Sequence, residues 1–166
     1  GNMKKSLFLS LGSNIEPKIS YLDSALLRLN SFFEFVKSSS IYETEPLLDF
    51  DQDSFYNLVA LYKTEITDPF EILKIVKSIE NDIGRVKDEN RPKGPRIIDI
   101  DVILFGEVET DTDELCIPHK SFSQRNFVLI PLKEIIGSLS DFSIKYDIDK
   151  FIEKNKFQNV KKLNDN

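Results

Sequence analysis

The stretch Ile97-Ile98-Asp99-Ile100-Asp101-Val102-Ile103-Leu104-Phe105 reads as a buried strand, apolar and β-branched up to the closing Gly106, with two aspartates set into it. Side chains on a strand alternate faces, so Asp99 and Asp101 point the same way, with Cα atoms roughly 6.5 Å apart. Ile98, Ile100, Val102 and Leu104 are expected on the opposite face. Two carboxylates that close repel one another, and a hydrophobic strand is a costly place to leave them unpaired. A hard divalent cation, held by one or two carboxylates and by substrate phosphates, removes the difficulty.

The segment before the strand supplies the complementary charge. Arg85, Lys87, Arg91, Lys93 and Arg96 stand there against only Asp88 and Glu89, and Pro92, Gly94 and Pro95 deny it regular structure. A long basic loop running into an acidic strand suits a polyphosphate, with a metal on one side and guanidinium forks on the other. The same residues also fit a solvated loop ahead of a strand whose aspartates lie at an exposed edge.

Charge and composition narrow the partners. The net charge of −6 argues against a general nucleic-acid or anionic-membrane surface and makes the basic cluster a local feature. Cys116 is the only cysteine, which excludes an internal disulfide framework and fits a reducing, cytoplasmic setting. With a single histidine, His119, the common zinc ligand sets cannot be assembled. No apolar run approaches the ~20 residues of a membrane span, and no signal peptide precedes the first strand. A chain of 166 residues is expected to form one domain, residues 3–166, around a single core, with Gly1-Asn2 read as a tag remnant.

The periodicity gives the element order. Residues 5–11 alternate and run into the turn cluster Gly12-Ser13-Asn14, a first strand. Pro17 sits where a helix can begin, and Ile19, Leu22, Leu26, Leu29 and Phe33 recur at threes and fours. Residues 35–44 read as a second strand, 45–54 as a loop and 55–66 as a third strand. On that third strand Phe55, Asn57, Val59 and Leu61 share one face, and Tyr56, Leu58, Ala60 and Tyr62 the other. Asp68-Pro69-Phe70-Glu71 is a helix start, the stripe Ile72, Val76, Ile79 and Ile83 continues it, and Gly84 ends it. With the aspartate strand the order is β-α-β-β-α-β. The fold class is therefore α+β, a ferredoxin-like sheet with helices on one face and short C-terminal helices appended at 128–136 and 148–154.

Smaller constellations leave two readings open. His119 and Arg125, with Phe127 close behind, can both reach phosphate oxygens, or be a turn histidine and a surface charge. Phe55 and Asn57 can meet a flat polar heterocycle, or be a core ring beside a structural amide. Glu80 reads as a solvated helix charge, and Cys116 as inert.

In combination these segments resemble the 6-hydroxymethyl-7,8-dihydropterin pyrophosphokinase family over most of the chain. The resemblance rests on Leu11-Gly12-Ser13-Asn14, on residues 40–46 (Ser-Ile-Tyr-Glu-Thr-Glu-Pro), on Phe55-Tyr56-Asn57 and on Gly84-Arg85. It continues through Gly94-Pro95-Arg96-Ile97-Ile98-Asp99-Ile100-Asp101 to Pro118-His119, Arg125, Phe127 and Pro131-Leu132. It implies transfer of the β,γ-diphosphate of ATP to the pterin hydroxymethyl group, releasing AMP, with two Mg2+ ions on Asp99 and Asp101. Arg85 and Arg96 then match phosphate-clamping catalytic positions. Lys77, Glu80, Lys87, Val102, Leu115, Cys116, His119 and Arg125 match the ATP side. Thr44, Glu45, Leu47, Phe55, Asn57, Lys93 and Phe127 match the pterin side.

The chain departs from the pattern at Lys93, where many members carry tryptophan, at Phe55 and Lys120, where tyrosine is frequent, and at Glu114, where arginine is frequent. The resemblance further implies small-molecule partners only, a monomer, and loops near 45–54 and 84–96 that order on ligand binding. The rival readings are a non-catalytic ferredoxin-like nucleotide or pterin binding module and an RNA-recognition domain; the latter displays aromatics on a basic sheet.

Overall fold

Strand β1 (Lys5–Ser13) buries seven consecutive residues, which places it inside a sheet covered above and below. Strand β4 (Phe55–Thr64) pairs antiparallel along one edge of it and β5 (Asp99–Phe105) along the other. On the far side of β4 lie β2 (Glu34–Ser38) and β3 (Tyr42–Thr44), and β8 (Val160–Lys162) adds to β3. The sheet thus runs β5-β1-β4-β3-β8, with β2 also against β4. After β5, β6 (Thr110–Asp111) and β7 (Cys116–Ile117) form a separate two-stranded ribbon. The structure, a computed structural model, describes residues 3–45, 53–84 and 97–163.

Four helices among the described residues cover the sheet in an α+β arrangement. Helices α1 (Lys18–Leu29) and α2 (Pro69–Ile83) close one face, where Leu22, Leu29, Ile72 and Val76 meet Leu9, Ala60 and Ile100. Helix α3 (Asn126–Gly137) closes the other, laying Leu129, Leu132 and Ile135 over Phe8, Val59 and Leu61, and α4 (Ile148–Lys154) adds Ile148. The sheet therefore splits the interior into two apolar layers instead of the single core expected. The appended helices are not peripheral: α3, with α4 beside it, supplies the second cover.

Several boundaries differ from the sequence reading, each for a local reason. The first strand continues through Gly12 and Ser13, because both pair with β4 and Gly12 also pairs with β5. The second strand is broken after Ser38: the Ser39 hydroxyl accepts the Val59 N–H at 3.0 Å, replacing a ladder bond, and the chain resumes as β3. Leu104 lies with Ile103 on the α3 face, since Leu9 pairs with Val102 while Phe8 pairs with Leu104, leaving Ile103 as a bulge. On α1, Ile19 is 47% exposed and Lys18 is buried in its place. α2 matches its signals, with Asp68 Oδ1 accepting the Phe70 N–H at 2.9 Å and Gly84 left-handed at φ 107°.

A carboxylate ties α3 to the edge of the sheet. Glu134 Oε1 accepts from the Tyr42 hydroxyl at 2.6 Å, and Oε2 accepts from the Ser40 N–H at 2.7 Å. Burial pushes this carboxyl up, but the bonds from Tyr42 and Ser40, helped by Lys162, outweigh it and hold Glu134 below its ordinary value of 4.5. A depressed folded pKa gives stability that is complete above the unfolded value and lost as pH falls through the folded one. Glu134→Gln is thus expected to unfold at lower temperature than wild type at neutral pH, with the two converging in acid. Thermal unfolding followed by circular dichroism across that range checks this; an equal deficit at every pH would show that the charge is not what holds α3.

Candidate active site

Cross-strand pairing lines up the polar residues. Gly12 lies opposite Asp99 on one side and Asn57 on the other, and Asn57 lies opposite Tyr42. Directly opposed residues share a face, so Asp99, Asn57 and Tyr42 form a row on the α3 side of the sheet, with Asp101 opposite Ser10 one step along. Gly12 contributes no side chain, which leaves a flat floor between Asp99 and Asn57 two interstrand spacings wide, about 10 Å. A Cβ at this position would stand 2.8 Å from Asn57 Oδ1. Asn57 is buried, and its Nδ2 donates to Thr44 Oγ1 at 3.1 Å, so the amide is held in one orientation. Phe55, opposite Thr44, is on the same face of β4 and half-buried.

His119 and Arg125 close the aspartate corner. The His119 backbone N–H donates to the Ile103 carbonyl at 3.0 Å, fastening the residue to β5. Its Nδ1 accepts the Ser121 N–H at 3.2 Å, which assigns the proton of the neutral ring to Nε2, 3.9 Å from Asp101 Oδ2. Burial and then Arg125 push the imidazole below its usual range, against a smaller opposing pull from Asp99, so the ring is neutral at pH 7. The Arg125 guanidinium lies 5.6 Å from the Phe127 ring centroid, so charge and aromatic face are presented together.

The two carboxylates lie in an acidic neighbourhood. Burial, then Asp99, then Glu80 push Asp101 up to about 7, against Arg125 and Lys77. Asp101 remains partly open to solvent, with 36% side-chain exposure. A carboxyl raised by burial and by its acidic neighbours is a place where a hard cation lowers the energy. Among the described residues no group of three or more His, Cys, Asp or Glu side chains could enclose a metal. Two carboxylates with oxygen donors fit Mg2+, which keeps waters and takes phosphate oxygens to complete its shell.

The remaining candidates divide around β5. Glu80 is fully buried, not solvated: its Oε2 accepts the Ile100 N–H at 2.8 Å, and Lys77 Nζ stands 3.5 Å from Oε1. Val102 and Leu115 lie in the apolar layer on that α2 face, away from the aspartates. Cys116 is half-buried, its Sγ 3.5 Å from Asp111 Oδ1 and from the Thr112 carbonyl. Thr44 is half-buried and Glu45 exposed at the end of β3. Leu47, Arg85, Lys87, Lys93 and Arg96 lie outside the described residues, as do nearly all of the loops expected to order on binding.

Three residues near the site escaped the sequence reading. Gly12 carried a signal, since a glycine inside a strand marks close approach by a ligand or backbone. Lys18, only 4% exposed, lies 3.2 Å from Asp53 Oδ2, donates to Ser54 Oγ at 3.3 Å and stands over the Tyr56 ring, fixing the entry to β4 and so to Phe55. Glu134 gave no sign of itself, because its partners are over ninety residues away.

A profile described as 7,8-dihydro-6-hydroxymethylpterin-pyrophosphokinase (HPPK) matches residues 8–137, and the chain belongs to that family. The Bacillus subtilis 2-amino-4-hydroxy-6-hydroxymethyldihydropteridine pyrophosphokinase is 39% identical over 89% of this chain and 88% of its own length. The Methylorubrum extorquens protein of the same name is 40% identical over 80% of this chain and 83% of its own. The Dictyostelium discoideum folic acid synthesis protein FOL1 is 40% identical over 78% of this chain, which spans only 19% of that protein. The fold is also that of a Plasmodium falciparum HPPK-DHPS crystal structure with pterin and p-hydrobenzoate, with a TM-score of 0.67 at 17% identity over 93% of this chain and 45% of that one. Pyrophosphokinase activity in folate biosynthesis, with ATP as co-substrate, is the activity of this family.

Gly12→Ala is expected to cost about 1–3 kcal/mol of stability by overpacking against the Asn57 amide. In an Asn57→Ala background the cost should shrink, and a double-mutant cycle by chemical denaturation measures the difference. Additive costs would mean that the two residues do not touch.

Proposed function

We propose that this chain transfers the β,γ-diphosphate of ATP to the hydroxymethyl oxygen of 6-hydroxymethyl-7,8-dihydropterin, giving AMP and the pterin diphosphate. The row Asp99–Gly12–Asn57 carries the reading. A fused bicyclic ring laid over Gly12 with its pyrimidine edge at Asn57 directs a one-carbon arm toward Asp99 and Asp101. Phe55 and Phe127 take the two ring faces, and Thr44, Glu45 and Leu47 supply backbone groups at the rim. Lys93, in the place of the frequent tryptophan, closes the pterin side by charge.

Asp99 and Asp101 would hold two Mg2+ ions, which when bound neutralise the phosphate oxygens and align the attacking hydroxyl. Around them the chain works by positioning and charge. Arg125 and the neutral Nε2–H of His119 face the phosphates from the α3 side, and Arg85, Arg96 and Lys87 are assigned to them from the sequence. Lys77 and Cys116, which reach the surface beside β5, are assigned to the adenosine from the sequence, together with Glu80, Val102 and Leu115, whose side chains are buried. The all-antiparallel order β5-β1-β4-β3 supports the ferredoxin-like reading of the sheet. The chain is read as a single domain, residues 3–166, acting as a cytoplasmic monomer on small molecules, with no nucleic-acid or membrane partner. Among the described residues no helix is long and apolar enough to cross a membrane.

The test is AMP release from Mg-ATP with and without the pterin. Pterin-dependent AMP is expected, abolished by chelation. Asp99→Asn and Asp101→Asn should each lower it by two to three orders of magnitude, on the order of what losing one preorganised electrostatic group costs. ADP in place of AMP, or AMP release indifferent to the pterin, would overturn the assignment.

A further inference from the structure

Helix α3 begins in an unfavourable way. Its N-cap position is Arg125, whose side chain makes no capping bond, although helix starts favour Ser, Thr, Asp or Asn there. The cap comes instead from the far end of the chain. Gln158 Oε1 accepts the Asn126 N–H at 2.9 Å, and Gln158 Nε2 donates to the Gln124 carbonyl at 2.8 Å, so one amide grips both flanks of Arg125. Asn155 Nδ2 donates to the Ser123 carbonyl at 2.9 Å. Asn126, buried, returns two bonds from its Nδ2, to the Ile152 carbonyl at 3.2 Å and the Asn155 carbonyl at 3.0 Å. Two residues beyond Gln158 the chain enters β8, where Val160 pairs with Thr44 and Lys162 with Tyr42.

We propose that residues 155–162 are a brace that positions Arg125 and Phe127 against the β3–β4 wall of the site, with Gln158 as the positioning residue. One short segment is bonded on one side to the turn that carries Arg125 and Phe127, and on the other to the strand that carries Thr44, the partner of Asn57. Its bonds thereby set the separation between the groups assigned to phosphate and ring and the amide assigned to the ring's edge. The segment lies beyond residues 8–137, the stretch matched by the family profile. Gln158 satisfies the Asn126 N–H, one of the N–H groups at the head of α3 that have no intrahelical partner. Asn126 Oδ1 has no partner among the described residues, so that residue's hold comes through its donors.

The inference rests on the phosphate and pterin roles proposed for Arg125 and Phe127, and its test separates the two. Gln158→Ala is compared with wild type by amide hydrogen exchange over residues 123–129. Calorimetric binding of α,β-methylene-ATP with Mg2+ and of 6-hydroxymethylpterin is measured on the folded proteins. Faster exchange confined to 123–129 is expected, with both ligands bound roughly tenfold more weakly, the equivalent of one buried hydrogen bond. Gln158→Glu keeps the acceptor for the Asn126 N–H and should recover part of the loss. Ile148→Ala lowers stability elsewhere under α3 and should leave both affinities within about twofold of wild type. Unchanged exchange at 123–129, or loosened exchange with both affinities intact, overturns the brace. If wild type binds neither ligand, the proposed function fails, and the exchange comparison judges the brace by itself.

Discussion

The electrostatic cost of two carboxylates side by side on a largely buried strand governs this structure. β5 is held by β1 along one edge and by apolar layers on both faces, so Asp99 and Asp101 cannot separate by moving the backbone. The relief has to come from charge brought to them. Arg125 and Lys77 contribute part of it. An acidic corner of this kind is a setting in which a hard cation with phosphate oxygens lowers the energy.

The rest of the fold serves that corner from two sides. Glu80 pins β5 through the Ile100 N–H from the α2 face, while the His119 N–H holds the Ile103 carbonyl of the same strand. On the α3 face of β1 the side chains shrink from Phe8 to Ser10 and vanish at Gly12, opposite Asp101 and Asp99. The floor between Asp99 and Asn57 is thus made by omission, a glycine standing where the sheet would otherwise carry a side chain.

Much of this was legible in the sequence. The β-α-β-β-α-β order, the Asp68 and Gly84 limits of α2, the two faces of β4 and the shared side of Asp99 and Asp101 all follow from rules that act over a few residues. What escaped depends on pairing across the chain. The break after Ser38 needs the Val59 N–H, and the displaced face of Leu104 needs the register of β1. Buried Lys18 reads as a surface charge until Asp53 and Tyr56 are placed beside it, and the early start of α3 needs an amide thirty-two residues downstream. The basic segment 85–96, so prominent in the sequence, lies outside the described residues.

The pairing of β8 with β3 has a consequence for synthesis. β3 is three residues long and lies between β4 and β8. A ribosome delivers β3 and β4 well over ninety residues before it delivers Val160–Lys162, so the growing chain presents an open strand edge for most of its elongation. The last described strand to emerge closes that edge with two lysines, Lys161 and Lys162. Closure of that edge therefore waits on a segment made more than ninety residues after the strands it completes.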